Sequence, residues 1–121
     1  MAADIGYKPS AELLTFEEYQ LETQLTAFYP HDIAVLYCTI ALAGETGEVS
    51  EKIKKVFRDN NGKFTRDKVI EVAKELGDVL WYVSQLAKEL NLSLDTIAKG
   101  NLFKLRERME KGKLAGSGDN R

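Results

Sequence analysis

The stretch DNNGKFT, Asp59 to Thr65, separates two long segments in which apolar residues recur at helical spacing. An Asn-Gly pair is a strong turn signal, and a threonine just beyond it is able to cap a new helix. The preceding helix is predicted to begin with Asp32 as its cap and to end near Arg58. The following helix is predicted to extend from Thr65 to Leu90. Two long helices joined by a short turn predict an antiparallel helical hairpin.

A shorter helix is predicted on each side of this hairpin. Thr15 and Glu18 have the spacing of a capping box, so a first helix is expected to begin at Thr15 and to end near Phe28, before Pro30. Ser93, after the break at NLS, is expected to cap a fourth helix. Because strand-like alternation is absent, the sequence predicts an all-α fold, an antiparallel four-helix bundle with long second and third helices.

The composition is that of a single globular domain. The chain has 121 residues, of which 44% are hydrophobic and 30% charged, with 17 basic and 19 acidic residues and a net charge of −2. The chain lacks the basic excess that would predict a nucleic-acid partner. It also lacks the run of about 20 apolar residues that would predict a membrane span. The single cysteine, Cys38, fits a reducing compartment, and the start lacks the pattern of a secretory signal, so a cytoplasmic protein is expected. We expect one domain over residues 1–121, with an N-terminal extension at 1–14 and a flexible glycine-rich tail at 112–121.

Two acidic pairs interrupt the long helices. Glu45 and Glu48 lie in AGETGEVSEK, and Glu75 and Asp78 lie in AKELGDVLWY. Residues three apart on a helix share a face, so each pair is expected to project from one side of its helix. Both pairs are predicted to border an apolar stripe at the margin of the core; the stripes are Ile33, Leu36 and Ile40 on one helix and Val72, Leu76, Val79 and Val83 on the other. An antiparallel pairing of the two helices would bring the carboxylates together.

Like charges beside a core are unfavourable unless something neutralises them. Four carboxylates, in a chain with one histidine and one cysteine, favour Mg²⁺ or Mn²⁺ over Zn²⁺. Gly44 and Gly47 flank the first pair and indicate close approach by a neighbouring helix or a ligand, since glycine is a poor helix former. The alternative is a solvated face partly neutralised by Lys52 and Lys74. Two pairs on consecutive helices favour a metal site.

The sequence around these pairs resembles a known family. GETGEV at 44–49, followed by KELGDVLWY at 74–82, is similar to the ExxE…ExxD signature of the MazG-like nucleotide pyrophosphohydrolases, part of the all-α NTP pyrophosphatase superfamily. YQLETQLTAFYP at 19–30 resembles the family's first helix. NLFKLRERMEKGKLAGSGDNR at 101–121 resembles its C-terminal NxxKxxxR segment with a glycine-rich tail. The resemblance extends from about Phe16 to Arg121.

The resemblance implies a Mg²⁺-dependent hydrolase, with Mn²⁺ as an alternative metal, that converts nucleoside triphosphates to monophosphates and pyrophosphate in nucleotide house-cleaning. It further implies a homodimer or homotetramer. The carboxylates matching the family's catalytic metal ligands are Glu45, Glu48, Glu75 and Asp78. The candidate substrate-binding residues are Asn101 and Lys104, which match the NxxK positions, Arg108 for phosphates, and Tyr19, Gln20 and Trp81 for the base.

One position departs from the family pattern. Many members carry an additional glutamate immediately before the first pair, and this chain has Gly44 there. Glu51 or Glu71, each one turn from a predicted ligand, is a possible substitute. This difference keeps open a non-catalytic helical interaction module that retains the fold. An enzyme resembling phosphoribosyl-ATP pyrophosphatase is a second alternative, because it shares the chemistry of the superfamily.

Overall fold

A computed structural model describes residues 13–112, and all regular structure in this range is helical. It contains four α-helices, and two short 3₁₀ turns, Gln24–Thr26 and His31–Ile33, lie between the first and the second helix. The helices are α1, Phe16–Thr23; α2, Ala34–Asn60; α3, Arg66–Glu89; and α4, Leu94–Glu110. The predicted all-α bundle is thus confirmed, and most of the predicted N-terminal extension and glycine-rich tail lies outside the described residues.

Three of the four predicted helix starts carry the expected cap. The Thr15 hydroxyl accepts a hydrogen bond from the amide of Glu18, whose carboxylate accepts from the Thr15 amide in return. Thr65 caps α3 through the amide of Lys68, and Ser93 caps α4 through the amide of Thr96. Each cap satisfies an amide that the first helical turn leaves without a partner.

Two predicted boundaries were wrong. Asp32 does not cap α2: it lies inside the 3₁₀ turn, and α2 begins after Ile33 without a side-chain cap. The first α-helix ends at Thr23 rather than near Phe28, because the chain tightens into the 3₁₀ turn before reaching Pro30. The Thr23 hydroxyl bonds to the carbonyl of Gln20 at 2.7 Å and contacts the Ser84 hydroxyl at 3.2 Å, which fixes this end of α1 to α3.

The turn between α2 and α3 forms as predicted. Asn61 adopts a left-handed conformation with φ of 52°, and Gly62 follows with φ of 75°. The Gly62 amide donates to the carbonyl of Val56 at 3.2 Å, closing the last turn of α2. Phe57 and Phe64 then pack edge to face across the turn, 6.1 Å between ring centroids. The two long helices are therefore antiparallel neighbours.

The core lies mainly between the first half of α2, the second half of α3 and the segment after α1. Its buried centre is Tyr29, Ala34 and Cys38, with Trp81 and Leu86 among the side chains packed against it. Polar groups share this interior. Gln85 is fully buried on α3, and its side-chain oxygen accepts from the Gln24 amide at 3.2 Å and from the Tyr29 hydroxyl at 3.5 Å.

The predicted apolar stripes are buried only in part, since Val72, Val79 and Val83 on α3 are partly buried and the other stripe residues are exposed. Leu36 and Ile40 on α2 are 58% and 64% exposed, and Leu76 on α3 is 53% exposed. On α2 the buried or partly buried side chains include Glu45 as well as Cys38 and Val56, so an acidic residue shares this side of the helix with small and apolar ones.

The segment His31–Asn60 is long and apolar enough, by length and composition only, to cross a membrane, and little of its most apolar part is buried. Length and composition alone are weak evidence, because core helices of soluble proteins meet the same criterion.

Gln20 fastens α4 to α1. Its side-chain nitrogen donates to the Leu92 carbonyl at 3.0 Å and to the Ser84 carbonyl at 3.5 Å, and its oxygen accepts from the Leu94 amide at 3.1 Å. The Leu94 amide belongs to the first turn of α4 and has no intrahelical partner. Gln20 therefore holds the start of α4 in place.

Substituting Gln20 with alanine is expected to lower the free energy of unfolding by about 1–3 kcal/mol, because it leaves backbone groups without partners. Urea unfolding measures this loss, and hydrogen exchange at the Leu94 amide should accelerate. Glu17→Ala, an exposed position on the same helix, is the control. Equal stability and equal exchange in the two variants would contradict this role for Gln20.

Candidate metal centre

Three carboxylates converge where α2 and α3 face each other. Glu45 comes from the middle of α2, and Glu75 and Asp78 come from successive turns of α3. One oxygen from each lies within 4.8 Å of one oxygen from each of the others. Glu48, the fourth predicted ligand, is exposed one turn further along α2 and is not in this group. We refer to Glu45, Glu75 and Asp78 as the acidic cluster.

The cluster concentrates negative charge. Among residues 13–112, none of its three carboxylates has a hydrogen bond or ion pair with another side chain. Burial raises the pKa of Glu45 above its usual range, and the charges of Asp78, Glu75 and Glu48 raise it further. Both effects disfavour the ionised carboxylate. Lys52 and Lys74 were the lysines expected to neutralise the carboxylates if these formed a solvated face. In the described part of the chain, neither lysine forms an ion pair with the cluster.

The donor set fits a hard divalent cation. Mg²⁺ prefers oxygen ligands at about 2.0–2.1 Å, so the ligands of one ion lie at most about 4.2 Å apart. The cluster spacing of up to 4.8 Å is within a small side-chain adjustment of that value. A cation there would offset the repulsion that raises the pKa of Glu45. Glu45, Glu75 and Asp78 are therefore the residues that would hold it.

Tyrosines border the cluster on both sides. On α1, burial raises the pKa of Tyr19, with a further contribution from the charge of Asp78. On α3, burial raises the pKa of Tyr82, with smaller contributions from Tyr37 and Glu45. The charge of Asp78 thus acts on Tyr19, and the binding of a base by this residue stays a prediction.

Comparison with known proteins identifies the family. A sequence model of the MazG nucleotide pyrophosphohydrolase domain matches residues 36–112, more than half of the chain. This chain belongs to the MazG family. It is also similar to the Gene 37 protein of Mycobacterium phage L5, with 44% identity over 109 residues that cover 85% of this chain and 96% of that protein. No solved structure matches.

The matched MazG region contains the acidic cluster, Glu48 and all of α4. On α4, Asn101 is exposed, Lys104 is half-buried and Arg108 is buried. The structure does not place these three in the acidic cluster, and their binding of phosphate stays a prediction. The shared family supports the interpretation of the ExxE and ExxD pairs as functional.

Two other predicted substrate residues have structural partners. The Trp81 indole donates to the Thr26 hydroxyl at 3.0 Å and packs edge to face against Tyr82, with ring centroids 4.9 Å apart. Gln20 is bonded to the backbone around the start of α4, as described above. The binding of a base by these two side chains stays a prediction.

The proposed substitutes for the family's missing glutamate lie outside the cluster. Glu51 forms an ion pair with Lys54 at 2.8 Å, and Glu71 pairs with Lys68 at 3.3 Å. At Gly44 itself, no atom lies within 4 Å of the place where a side chain would begin. Since neither Glu51 nor Glu71 joins the cluster, the described residues bring together three carboxylates that could hold a cation.

Proposed function

We propose that the protein is a divalent-metal-dependent nucleoside triphosphate pyrophosphohydrolase, which converts a (d)NTP and water to a (d)NMP and pyrophosphate. The observation that carries the proposal is the acidic cluster, three carboxylates from two helices at a spacing that suits one Mg²⁺ or Mn²⁺ ion. Membership of the MazG family supports the same reaction.

The chemistry follows from the charges of the site. A triphosphate is strongly anionic and is repelled by Glu45, Glu75 and Asp78 when they are ionised. A bound cation supplies charge compensation and polarises the phosphoryl oxygens. The carboxylates act as ligands, and one of them accepts the proton of the attacking water. The water oxygen bonds to phosphorus, the α–β anhydride bond breaks, and its electron pair leaves with the released phosphate group.

Other residues are candidates for binding the parts of the substrate that lie away from the reacting bond. We propose that Asn101, Lys104 and Arg108 on α4 bind phosphate or sugar, since an ammonium or guanidinium group offsets the substrate charge directly. Tyr19 and Tyr82 border the cluster and are the aromatic side chains closest to a bound base in this proposal. The biological role we propose is removal of unwanted nucleotides from the cytoplasmic pool.

Product analysis tests this proposal. Purified protein is incubated with a panel of canonical and modified NTPs and dNTPs, and with phosphoribosyl-ATP, each with Mg²⁺ and with Mn²⁺. We expect monophosphate and pyrophosphate from one or more (d)NTPs, and no turnover by Glu75→Gln. Reaction in ¹⁸O-labelled water then identifies the attacked phosphorus, since the label enters either the monophosphate or the pyrophosphate.

The same experiment separates the alternatives. Turnover of phosphoribosyl-ATP alone would indicate the related pyrophosphatase activity instead. Release of no pyrophosphate from any nucleotide with either metal would contradict the enzymatic proposal and favour a non-catalytic interaction module.

A further inference from the structure

The turn between α2 and α3 concentrates positive charge in one part of the chain. Residues 52–68, which we call the hairpin tip, contain seven basic and two acidic residues, a net charge of +5. The rest of the chain contains 10 basic and 17 acidic residues, a net charge of −7. The basic residues of the hairpin tip are Lys52, Lys54, Lys55, Arg58, Lys63, Arg66 and Lys68. The balanced composition of the whole chain therefore conceals a local basic excess, which attracts polyanions.

Cations from both long helices converge at the hairpin tip. A hydrogen bond from Arg58 lowers the pKa of Asp59, and the charges of Lys68 on α3 and Lys55 on α2 lower it further. Arg58 donates to both oxygens of Asp59 at 2.7 Å, so this carboxylate is already occupied by a neighbour. Within residues 13–112, Lys55 and Lys63 form no ion pair. Their ammonium groups are therefore available to an anionic partner.

Two phenylalanines are exposed among these cations. Phe57 is 63% exposed and Phe64 is 47% exposed, and their rings pack edge to face across the turn. The Phe57 ring also lies against the turn backbone, because a side-chain carbon added at Gly62 would come within 2.9 Å of it. The two rings are thus held in position by the turn while much of their surface stays open to a ligand.

Lysines beside exposed aromatic rings are the groups with which proteins bind single-stranded nucleic acid. The cations contact phosphates, and unpaired bases stack on the rings. An anionic lipid surface is the other partner that these groups could attract. The polar apex argues against it, since Asn60, Asn61 and Lys63 lie between the two phenylalanines in the chain. Inserting the rings into lipid would bury these polar groups as well, which is unfavourable.

We propose that the hairpin tip binds single-stranded DNA or RNA, with its lysines on the phosphates and with Phe57 and Phe64 against the bases. Glu45 and Glu75 of the acidic cluster are each seven residues from the nearest end of the hairpin tip, about 10 Å along the helix. The nucleic-acid surface is therefore separate from the acidic cluster, and its binding does not depend on the proposed hydrolysis.

Fluorescence anisotropy of labelled oligothymidylate and oligouridylate, each of about 20 nucleotides, measures the binding of DNA and RNA separately. A chelator is present throughout, so that no divalent cation bridges phosphates to the acidic cluster. We expect the wild type to bind at least one of the two strands, and more weakly as salt rises. An abasic strand of the same length has the phosphates without the bases and should bind at least about fivefold more weakly.

Replacing both Lys55 and Lys63 with glutamine tests the phosphate contacts. We expect affinity for the preferred strand to fall by about tenfold or more. Each phosphate contact contributes about 0.7 to the slope of log affinity against log salt concentration, so the slope should become shallower by about 1.4. The matched control replaces Lys99 and Lys111 with glutamine, since both are exposed, lie outside the hairpin tip and change the net charge equally.

Phe64→Leu tests the base contacts, because leucine stays apolar but cannot offer a ring for stacking. We expect affinity for the preferred strand to fall by about fivefold or more, while affinity for the abasic strand is unchanged. Phe103→Leu is the matched control, since Phe103 is an exposed phenylalanine on α4. Far-UV circular dichroism verifies that each variant keeps its helical content.

Three results would overturn the proposal. They are failure of the wild type to bind either strand, equal affinities of the double lysine variant and its control, and equal binding of the abasic and normal strands. Binding to vesicles that contain phosphatidylglycerol, with no binding to either oligonucleotide, would assign the hairpin tip to a membrane surface instead.

Discussion

Replacing Asp78 with asparagine is expected to lower the rate of nucleotide hydrolysis by at least about 100-fold while the protein stays folded. Asparagine has nearly the same shape as aspartate but no charge, so the change removes one cation ligand with little effect on packing. Asp78 is exposed, and among the described residues it has no side-chain partner whose loss would disturb the helix.

Pyrophosphate release under saturating Mg²⁺ measures the effect, and far-UV circular dichroism verifies the helical content. Asp67→Asn is the matched control, since Asp67 is also exposed on α3 but lies in its first turn, away from the cluster. Glu48→Gln is expected to lose less activity than Asp78→Asn, because Glu48 lies outside the acidic cluster. A larger loss in Glu48→Gln, or an unchanged rate in Asp78→Asn, would contradict the assignment of ligands.

Glu45→Gln is expected to raise the free energy of unfolding when metal is absent and to lower it when metal is bound. Burial and neighbouring carboxylates raise the pKa of Glu45 in the folded protein. The metal-free folded state therefore retains a proton that the unfolded state has lost. Stability associated with this group is fully present below the unfolded pKa of about 4.3 and is lost as pH rises through the higher folded pKa.

Without metal, Glu45→Gln should thus become more stable than the wild type as pH rises above about 4.3 and through the raised pKa of Glu45. With saturating Mg²⁺ the order should invert, because the cation binds the folded wild type and stabilises it by mass action. Urea unfolding in chelator and in Mg²⁺, across the same pH series, measures both differences.

The comparison of the two proteins isolates Glu45. Hydrogen bonds from lysine, arginine and tyrosine, respectively, lower the pKa values of Glu51, Asp59 and Glu89, which gives the opposite pH slope. These groups are present in both proteins and cancel in the difference. A wild type more stable than Glu45→Gln without metal at neutral pH would be inconsistent with a repulsive cluster.

Local sequence signals predicted most of the fold. Three helix starts are capped by a side chain that accepts from the amide three residues later, at Thr15, Thr65 and Ser93. The end of α2 is marked by Asn61 and Gly62, both in the left-handed region. Such signals act within one helical turn and need no knowledge of distant contacts. Asp32 has the same chemistry but forms no cap, because the chain enters α2 through a 3₁₀ turn.

The direction of each helix face was harder to predict. Periodicity identifies an apolar stripe but does not say what covers it. Ile40 and Leu76 were assigned to the core of one chain, whereas they are exposed in it. The seam between α2 and α3 instead contains Glu45 and Glu75, residues that a stability argument alone would place in water. That departure from ordinary core composition is itself consistent with a functional site.

Helical spacing and antiparallel pairing made the acidic cluster predictable in part. Spacing along each helix brought Glu75 and Asp78 together, and antiparallel pairing added Glu45. The position of Glu48 depends on the rotation of α2 about its axis, which the sequence does not determine. Gln20 was assigned to the base from resemblance and Trp81 from its position just after Asp78. Their hydrogen bonds to the start of α4 and to Thr26 were visible only in the structure.

The most direct measurement of the central claim is Mn²⁺ binding by the nucleotide-free protein, followed by electron paramagnetic resonance as free Mn²⁺ is depleted. If Glu45, Glu75 and Asp78 hold the cation, the wild type and Asp67→Asn bind Mn²⁺ with the same affinity, Asp78→Asn binds at least about tenfold more weakly, and excess Mg²⁺ displaces the ion. Equal Mn²⁺ affinity in the wild type and Asp78→Asn would contradict the claim.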